Sequence, residues 1–582
     1  MRKTKIVCTL GPATDGEGVL REMILAGMDV ARFNFSHGTH EEQLARLTRL
    51  KALREELGVP VAALLDTKGP EVRLGNFKNG KATIEAGQMF VLTPRRVEGD
   101  ETVASITFRE LYADVSVGSR ILIDDGKIEM VVTEVRGEDI LCQVLNGGMV
   151  SNHKGVNIPG IHLNMPFISG QDKADLLFGI EHGFDYVAVS FTRCARDLYD
   201  IRTLLDENGG EGIALIAKIE NQEGVSNIDE ILTASGGIMI ARGDMGVEID
   251  FTEIPIIQKN LIERCYNSGR PAITATQMLD SMMVSPRPTR AEITDVANAI
   301  YDGTSAIMLS GETAAGKYPV EAVRTMAAIA ARTEEDISYH DLFRARLAEE
   351  TRLSVTESVA HATCTTAMDT GADAIITVTR SGETARLLCK YRPSTPIIAC
   401  VMDEGVGRQL NLSWGITPIV MEYAASTDEM IDLSVQAAQQ AGLAKDGDLV
   451  VITAGVPVGV SGTTNMMKAH LIGDVLASGV GTGGQNATGM VCVCMDAADI
   501  QKKFVPGNVL VTTSTSNDML EALREAAAII TEEGGMNSHA AIVGVTLDKP
   551  VVVGVTGATT KLKDGQKVAV DSRRGVVRAM PK

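Results

Sequence analysis

Short apolar runs alternate with amphipathic stretches over the first 70 residues of the chain. The runs fall near 5–10, 28–33 and 61–65, and helical patterns lie around 16–26 and 40–57. Alternating strands and helices of this kind indicate a parallel sheet. The rhythm resumes after residue 170, with apolar runs at 184–190, 213–217, 237–241, 271–275 and 305–309. Three runs before the interruption and five after it make eight, which predicts an α/β fold built on a (β/α)8 TIM barrel.

The interruption itself has a different pattern. Between 71 and 169, polar and apolar positions alternate and are separated by turn signals such as Asn79-Gly80 and Asp125-Gly126. This pattern is typical of a small β domain, so a β-barrel lid domain is expected within the barrel, after its third strand. The predicted organisation is a catalytic barrel at 1–70 and 170–340, the lid at 71–169, an α/β domain at 341–474 and a C-terminal domain at 475–582, with a charged helical connection at 335–350.

Two stretches outside the barrel have loop character. The segment Thr379-Arg380-Ser381-Gly382-Glu383-Thr384 follows an apolar strand and precedes a helix. Backbone N–H groups and hydroxyls at a helix start can bind a phosphate, although a plain N-cap with a capping-box Glu is the alternative. The Gly-rich stretch 477–486 contains G-x-G-x-x-G without a surrounding strand–turn–helix unit. It is therefore expected to be a linker or turn.

Candidate chemistry lies at the ends of the barrel strands, where the active sites of TIM barrels collect. Lys218 and Glu220 are two residues apart at the end of one run, so on a strand both side chains point to the same face. Asp244 follows the next run. Two carboxylates suit Mg²⁺, which fills its other positions with water and substrate oxygens, and the Lys can neutralise a phosphate. A structural salt bridge is the alternative for any one of these residues.

Charge and composition restrict the function. The formal charge of −20 argues against non-specific binding to nucleic acid or to an anionic membrane. An anionic substrate would then need a locally cationic pocket or a bound metal. The start of the chain lacks the apolar core of a signal peptide, and no apolar run reaches membrane-spanning length. Nine scattered Cys, including Cys492 and Cys494 as expected core thiols, favour a reduced, cytoplasmic location.

The first 470 residues resemble pyruvate kinase. Several separate motifs in the order of that family carry the resemblance. Small departures at Met245 and Ser285 supply no charge or ligand. The motifs are Lys5-Ile6-Val7-Cys8-Thr9-Leu10-Gly11-Pro12-Ala13-Thr14, Ala31-Arg32-Phe33-Asn34-Phe35-Ser36-His37-Gly38, Asp66-Thr67-Lys68-Gly69-Pro70-Glu71, Lys218-Ile219-Glu220-Asn221, Ala241-Arg242-Gly243-Asp244, Pro286-Arg287-Pro288-Thr289-Arg290-Ala291-Glu292 and Leu309-Ser310-Gly311-Glu312-Thr313.

This resemblance implies transfer of the phosphoryl group of phosphoenolpyruvate to ADP, which gives pyruvate and ATP. Glu220 and Asp244 would hold Mg²⁺ (or Mn²⁺), with Lys218 as transition-state stabiliser and Arg32 as a second cation. Thr276 would act near the protonation of the enolate, through water. Arg32, Gly243, Asp244 and Thr276 would contact the substrate.

The resemblance also implies a K⁺ site and a nucleotide site. Asn34, Ser36, Asp66 and Thr67 would bind K⁺, and Glu71 is the residue type that accompanies K⁺ dependence in this family. The β domain would be a lid that excludes water. Asn34, Ser36, His37, Arg73 and Lys154 would contact the nucleotide, and Asp125 would face the site from the lid.

Regulation and assembly are implied in the same way. Thr379, Ser381, Gly382 and Thr384 match an effector phosphate site for a sugar phosphate or nucleotide, and a homotetramer is expected. The tail resembles the phosphohistidine domain of phosphoenolpyruvate-utilising enzymes, with His539 as the candidate phosphohistidine. Asn537 replaces the family's Thr, and a structural or regulatory tail is favoured over a phosphocarrier.

Two rival functions remain open at this stage. A metal-dependent, enolate-forming lyase could use the same Lys-x-Glu and Asp residues, but it would not need the lid or the K⁺ site. A catalytically inactive, metabolite-sensing barrel should have lost one of Lys218, Glu220 or Asp244, and all three are present.

Overall fold

The computed structural model describes residues 2–347, 353–424, 426–456 and 464–580. The chain forms two compact units. The first comprises residues 1–371, 375–441 and 452–467, and the second comprises 372–374, 442–451 and 468–582.

The first unit begins with three βα segments whose boundaries follow local signals. Helix formation over 40–57 starts at Thr39, whose hydroxyl accepts a hydrogen bond from the backbone N–H of Glu42, and it stops at Gly58 in the left-handed conformation. The elements are β1 (Lys5–Thr9), α1 (Val19–Ala26), β2 (Val30–Asn34), α2 (His40–Leu57) and β3 (Ala62–Asp66).

After β3 the chain leaves the barrel and forms a mostly antiparallel β domain. Its core contains fully buried Phe90, Leu92 and Ile140. The elements are β4 (Val72–Arg73), β5 (Lys81–Ile84), β6 (Met89–Thr93), β7 (Val103–Ser105), α3 (Leu111–Asp114), β8 (Arg120–Ile123), β9 (Ile128–Arg136), β10 (Asp139–Val144), β11 (Gly148–Ser151) and β12 (Gly155–Asn157). Seven strands form one sheet in the order β4-β12-β8-β9-β10-β6-β7, and β5 pairs with β11.

The barrel then resumes and closes. Its elements are α4 (Gly170–Glu181), β13 (Tyr186–Val189), α5 (Ala195–Asp206), β14 (Ala214–Ile219), α6 (Gln222–Ser226), α7 (Ile228–Ala234), β15 (Gly237–Ala241), α8 (Arg242–Glu248), α9 (Ile254–Ser268), β16 (Ala272–Ala275), α10 (Arg290–Tyr301), β17 (Ala306–Leu309), α11 (Gly311–Ala314) and α12 (Pro319–Asp336). The closed order β1-β17-β16-β15-β14-β13-β3-β2 confirms the TIM-barrel prediction. Because β3 and β13 are neighbours, the lid is inserted between two adjacent barrel strands.

A third, α/β domain follows the barrel. Its elements are α13 (Tyr339–Leu347), α14 (Val355–Asp369), β18 (Ala374–Val378), α15 (Glu383–Lys390), β19 (Ile397–Val401), α16 (Glu404–Leu410), β20 (Ile416–Val420), α17 (Thr427–Gln440), β21 (Leu449–Gly455) and β22 (Thr464–Leu471). The sheet order is β20-β19-β18-β21-β22. Within the connection expected at 335–350, α12 and α13 are helical, while 348–350 lie outside the described residues.

The C-terminal part of the second unit is built on an eight-stranded sheet in the order β23-β30-β29-β25-β26-β27-β28-β24. Its elements are β23 (Val475–Ser478), β24 (Val480–Thr482), β25 (Asn486–Val493), α18 (Ala497–Lys503), β26 (Val509–Thr512), α19 (Leu520–Glu525), β27 (Ala528–Thr531), α20 (His539–Leu547), β28 (Val551–Val553), α21 (Ala558–Lys561), β29 (Lys567–Asp571) and β30 (Val576–Ala579). Across the described residues of the chain, no helix has both the length and the apolar character needed to cross a membrane.

The linker expected at 477–486 is wrong, because this stretch carries β23, β24 and the start of β25. Its glycines allow close packing instead of flexibility. A Cβ on Gly481 would lie 1.8 Å from the carbonyl oxygen of Ser572. The strand partners are far away in sequence, since β23 pairs with β30 and β24 with β28.

Phe33 offers a test of the barrel core next to the site. It is fully buried in β2, and its ring meets Phe184 edge to face with centroids 5.1 Å apart. We expect Phe33→Ala to lower the free energy of unfolding by about 3–5 kcal/mol, because the lost ring leaves a cavity. Tyr199→Ala, at a side chain that is 54% exposed, should change it by only about 0.5 kcal/mol. Urea unfolding followed by circular dichroism measures both, and equal losses would contradict the packing described.

Candidate active site

Lys218 is the centre of a buried charged cluster at the C-terminal ends of the barrel strands. It lies in β14, and its Nζ is 3.1 Å from Asp66 Oδ1 and 3.1 Å from Glu220 Oε1. The same Nζ donates a hydrogen bond of 2.7 Å to Ser190 Oγ. Three side chains from neighbouring strands therefore surround one ammonium group.

Arg32 extends the cluster by one strand. Its Nε donates to Asp66 Oδ2 at 2.5 Å, and its Nη1 donates to Thr9 Oγ1 at 2.9 Å. Burial alone would raise the pKa of Asp66, but the charges of Arg32 and Lys218 hold it below its ordinary value. Asp66 is therefore an anion that links the two cations.

The protonation states follow from these contacts. Burial alone would lower the pKa of Lys218, but Asp66 and Glu220 raise it above its ordinary value, so Lys218 is a cation. Burial raises the pKa of Glu220 to about 7, and the charge of Asp244 adds to this shift although Lys218 opposes it. Glu220 thus holds its proton more strongly than an ordinary carboxyl, even though the Lys218 ammonium is 3.1 Å away.

Glu220 also holds a strained turn. Its Oε2 accepts a hydrogen bond of 2.6 Å from the backbone N–H of Phe191, which has φ of 56°. Such a conformation is costly for a bulky residue and persists where surrounding contacts impose it. The carboxylate therefore fixes the loop that follows β13.

Asp244 and Thr276 lie at the ends of the next two strands. Asp244 is exposed in the first turn of α8, close enough for its charge to act on Glu220 and Lys218. The Thr276 hydroxyl accepts a 2.8 Å hydrogen bond from the N–H of Gly243 and donates at 2.6 Å to the carbonyl of Ala275. Thr276 has φ of 68°, a left-handed backbone conformation that is uncommon for a β-branched residue.

Arg242 supports this turn from behind. Its Nη1 and Nη2 each donate to Asp295 at 2.8 Å, and Nη2 also donates to the carbonyl of Thr276 at 2.8 Å. The fork of a guanidinium matches a carboxylate in this way. Arg242 thus holds the Thr276 turn and has no contact with Lys218 in the structure.

The chemistry of the carboxylates fits a magnesium ion. Among the described residues, no group of three or more His, Cys, Asp and Glu side chains forms a metal cluster by itself. Mg²⁺ needs only one or two protein carboxylates when a substrate supplies further oxygens. Part of the repulsion that helps to raise the pKa of Glu220 comes from Asp244, and a divalent cation held by these two carboxylates would relieve that part.

The four residues expected to bind K⁺ come from β2, β3 and the loops that follow them. Asn34 and Asp66 are register partners, and Asn34 Oδ1 accepts from the N–H of Ser36 at 3.0 Å. Thr67 Oγ1 accepts from the N–H of Ser190 at 3.1 Å. Both carboxylate oxygens of Asp66 are already engaged, one with Arg32 and the other with Lys218.

A cleft of about 580 Å³ opens between the lid and the barrel, and Asp244 lines it. Arg73 in the cleft donates to Glu71 at 2.8 Å, and Lys154 lies 2.7 Å from Asp124. Asp125 also lines the cleft, whereas His37 is exposed and outside the described lining. The structure thus gathers Arg73, Lys154 and Asp125 at one cleft and leaves His37 apart.

The remaining candidates lie outside the barrel. Thr379 Oγ1 accepts from the N–H of Gly382 at 3.1 Å, and the Thr384 hydroxyl lies 2.6 Å from that of Thr464. Ser381 is partly exposed in the same loop. In the second unit, His539 Nδ1 lies 2.8 Å from Thr515 Oγ1 and Nε2 lies 3.1 Å from Asn517 Oδ1.

Ser190 is a functional candidate that the sequence analysis did not select. Its hydroxyl accepts from Lys218, donates to the carbonyl of Thr67 at 2.7 Å and lies 3.2 Å from Asp66 Oδ1. Asp66 was expected only as a K⁺ ligand, and its ion pair with Lys218 was not foreseen. The signal for Ser190 was present, because Asp66 and Ser190 come at the ends of apolar runs that become the neighbouring barrel strands β3 and β13.

Fold and site together define a (β/α)8-barrel enzyme with buried cations and carboxylates at its mouth, beneath a lid. Known families match along most of the chain. "Pyruvate kinase, barrel domain" matches residues 1–323, "Pyruvate kinase, alpha/beta domain" matches 357–470, and "PEP-utilising enzyme, mobile domain" matches 504–575.

Relatives that match the chain over its whole length are also named pyruvate kinases. The chain is 51% identical to a pyruvate kinase of Geobacillus stearothermophilus over 99% of this chain and 98% of that protein. It is 49% identical to one of Bacillus licheniformis over 99% of both. A crystal structure of a pyruvate kinase from Cryptosporidium parvum superimposes with a TM-score of 0.76 and 38% identity, covering 81% of this chain and 96% of that one. The chain belongs to the pyruvate kinase family and is a phosphotransferase.

Ser190→Ala tests the positioning of Lys218. Loss of a hydrogen bond to a charged group should lower kcat in a pyruvate-release assay by roughly 10- to 100-fold, with a much smaller change in KM. Ser190→Thr retains a hydroxyl and should recover part of the rate. Ser338→Ala, at an exposed hydroxyl bonded to Asp341, is the control and should not change kcat. An unchanged kcat in Ser190→Ala would exclude the positioning role.

Proposed function

We propose that the protein transfers the phosphoryl group of phosphoenolpyruvate to ADP, giving pyruvate and ATP, and that it requires Mg²⁺ (or Mn²⁺) and K⁺. One observation carries this proposal. Lys218 and Arg32 are buried cations held in place by Asp66 at the barrel mouth. Phosphoryl transfer depends on positioning and charge neutralisation more than on covalent help from the protein, and this cluster supplies both.

Lys218 is assigned to the transferring phosphoryl group, with Arg32 as the second cation on the substrate. Removing one such oriented charge typically costs about 3–4 kcal/mol of transition-state stabilisation. Lys218 bonds Asp66, Glu220 and Ser190 in the structure, so a phosphate would replace part of this coordination. Asp66 would continue to orient both cations.

Glu220 and Asp244 would hold the magnesium ion. When bound, the ion supplies positive charge to the carboxylate and phosphate oxygens of the substrate. Lys218 lies beside Glu220, so a phosphate oxygen held near this carboxylate pair would also be within reach of the ammonium group.

Thr276 is assigned to the protonation of the enolate carbon. Its hydroxyl is oriented by Gly243 and Ala275, and its turn is held by Arg242. A hydroxyl is a weak acid, so Thr276 would orient a water molecule that delivers the proton. Gly243 and Asp244 would contact the substrate next to it.

The K⁺ ion is assigned to the ends of β2 and β3. Asn34, Ser36 and Thr67 offer neutral oxygens there, and Asp66 supplies the negative charge. Both oxygens of the Asp66 carboxylate are paired with Arg32 and Lys218. Asp66 would therefore attract K⁺ mainly by its negative charge and not as a direct ligand. Glu71, paired with Arg73, stands where K⁺-independent relatives would place a Lys.

The nucleotide is assigned to the cleft under the lid. Arg73 and Lys154 are its cations, and Asp125 faces them from the lid. Asn34, Ser36 and His37 would contact the nucleotide phosphates from the loop after β2, where His37 is exposed. Closure of the lid would exclude water, so that the phosphoryl group passes to ADP and is not hydrolysed.

Regulation is assigned to the 379–384 loop, with a phosphorylated metabolite as effector. Gly382 has φ of 80° and is the N-cap residue before α15, and its N–H already donates to Thr379. The hydroxyl of Ser381 would be the main side-chain hydrogen-bond donor of this loop. The Thr384 hydroxyl would donate to the effector only after its hydrogen bond with Thr464 breaks. A cytoplasmic homotetramer completes the proposal.

The tail is assigned a structural or regulatory role. Both ring nitrogens of His539 have hydrogen-bond partners, Thr515 and Asn517, and phosphorylation would displace one of them. A metal-dependent lyase is disfavoured because it would not require the lid. An inactive scaffold is disfavoured because the chain retains Lys218, Glu220 and Asp244.

Lys218→Met is the main test of the site. It removes the ammonium group and leaves a similar apolar chain, so turnover should fall by roughly 100-fold or more while the far-UV circular dichroism is unchanged. Lys51→Met is the matched control, because Lys51 is exposed on α2 and donates to the carbonyl of His182. Equal turnover of Lys218→Met and the parent protein would refute the assigned role.

The cation requirement is tested separately by a pyruvate-release assay with phosphoenolpyruvate and ADP. We expect turnover to need both Mg²⁺ and K⁺, and to rise with at least one sugar phosphate or nucleotide. The effector response should be lost in Thr384→Val with little change in the basal rate. Zero turnover with all four components would eliminate the proposed reaction.

A further inference from the structure

A small pocket lies at the opposite end of the barrel from Lys218, where α15 of the third domain packs near α9. Its walls come from Arg270, which follows α9, from Ser305, which precedes β17, and from Arg386, Cys389 and Arg392 in and after α15. Lys390 also lines it. The enclosed space is about 10 Å³, which is room for about one water-sized sphere.

The pocket has an unbalanced charge. Four cations line it, and none of its described lining residues is a carboxylate. Lys390 forms an ion pair of 3.7 Å with Glu357, which lies outside the lining. Lys390 is therefore balanced from outside the lining, whereas no carboxylate of the lining balances Arg270, Arg386 or Arg392. Charges that are partly or fully removed from water are normally paired, so these three guanidinium groups need an explanation.

Two of these guanidinium groups have N–H donors available for hydrogen bonds to a ligand. The structure shows no hydrogen bond or ion pair from the Arg270 guanidinium to any described residue. Arg386 donates to the carbonyl of Ser381 at 2.7 Å, which leaves most of its donors. Burial lowers the pKa of Arg386, and the charge of Arg270 lowers it further, so the two cations repel each other across the pocket.

Arg392 forms a fixed wall. Its Nη2 donates to the carbonyl of Gly303 at 2.7 Å, and its guanidinium lies 4.4 Å from the ring centroid of Trp414. These contacts hold a third positive charge in place, although the charge of Glu334, outside the pocket lining, also acts on it. A rigid cationic wall lowers the cost of ordering a ligand.

We propose that this pocket binds an oxyanion of the phosphate type between Arg270 and Arg386. One oxygen would enter the water-sized space and the others would remain at the mouth. Guanidinium forks match the geometry of phosphate oxygens, which favours an oxyanion over a spherical ion. The source is either free inorganic phosphate or the phosphate group of a metabolite.

The site is separate from the active site, and it touches the proposed effector loop only through the hydrogen bond from Arg386 to the carbonyl of Ser381. Arg270 and Ser305 precede β16 and β17, whereas Lys218 lies at the C-terminal end of its strand. Thr384 faces Thr464, and Arg386 lies two residues further along α15, on about the opposite side of the helix. The proposed site therefore does not depend on the proposed reaction.

Cysteine alkylation of the full-length protein tests the proposal. Cys389 lines the pocket, and Cys194 is the other partly exposed cysteine of the described residues, so it serves as an internal control. Anionic iodoacetate should react faster, relative to neutral iodoacetamide, at Cys389 than at Cys194. Inorganic phosphate should slow the alkylation of Cys389 and leave that of Cys194 unchanged, as read by mass spectrometry.

Arg270→Gln should raise the phosphate concentration for half protection by about tenfold or more. Arg264→Gln, at an exposed residue of α9 paired with Asp229, should leave it unchanged. Thermal unfolding gives a second readout that needs no thiol reactivity: phosphate should raise the melting temperature more in the parent protein than in Arg270→Gln.

Three outcomes would overturn the proposal. The first is that phosphate neither protects Cys389 nor changes the melting temperature differently in the parent protein and in Arg270→Gln. The second is that phosphate protects Cys389 in Arg270→Gln as well as in the parent protein. The third is that chloride protects Cys389 as well as phosphate does. Protection by phosphoenolpyruvate or ADP at lower concentration than by phosphate would identify a metabolite phosphate as the source. Protection by inorganic phosphate alone would identify the free ion.

Discussion

The buried ion cluster around Lys218 is the constraint on which the site depends. Charges removed from water are tolerated only when partners and hydrogen bonds surround them. Arg32, Asp66, Ser190 and Lys218 meet this condition because they come from consecutive barrel strands, β2, β3, β13 and β14. The chain inserts its lid between β3 and β13, so the domain that would cover the site starts and ends beside the cluster.

Much of this arrangement was readable from the sequence, because it rests on local periodicity. Eight apolar runs predicted the barrel, and the two-residue spacing of Lys218 and Glu220 predicted the shared face on which their side chains are in contact. The Asp66–Lys218 pair was not foreseen, since it depends on the barrel order that places β3 and β14 on either side of β13. The Arg242–Asp295 pair joins residues 53 positions apart, and nothing in the local sequence distinguishes it.

The second unit shows more clearly where prediction from the local sequence fails. The Gly-rich stretch 477–486 has the composition of a linker, yet it pairs with strands near 551–553 and 576–578. Glycine there permits the close approach of two backbones, as at Gly481, and composition alone cannot separate this use from flexibility. His539 was found by its motif, but its partners Thr515 and Asn517 lie 24 and 22 residues away and became visible only in the fold.

A crystal structure with Mg²⁺, K⁺ and a non-reactive analogue of phosphoenolpyruvate tests the central claim most directly. The account predicts one magnesium ion bound by both Glu220 and Asp244, with the Lys218 ammonium turned from its present partners to within about 3 Å of an analogue oxygen. An analogue bound away from Lys218, or a metal ion that is not coordinated by both Glu220 and Asp244, would contradict it.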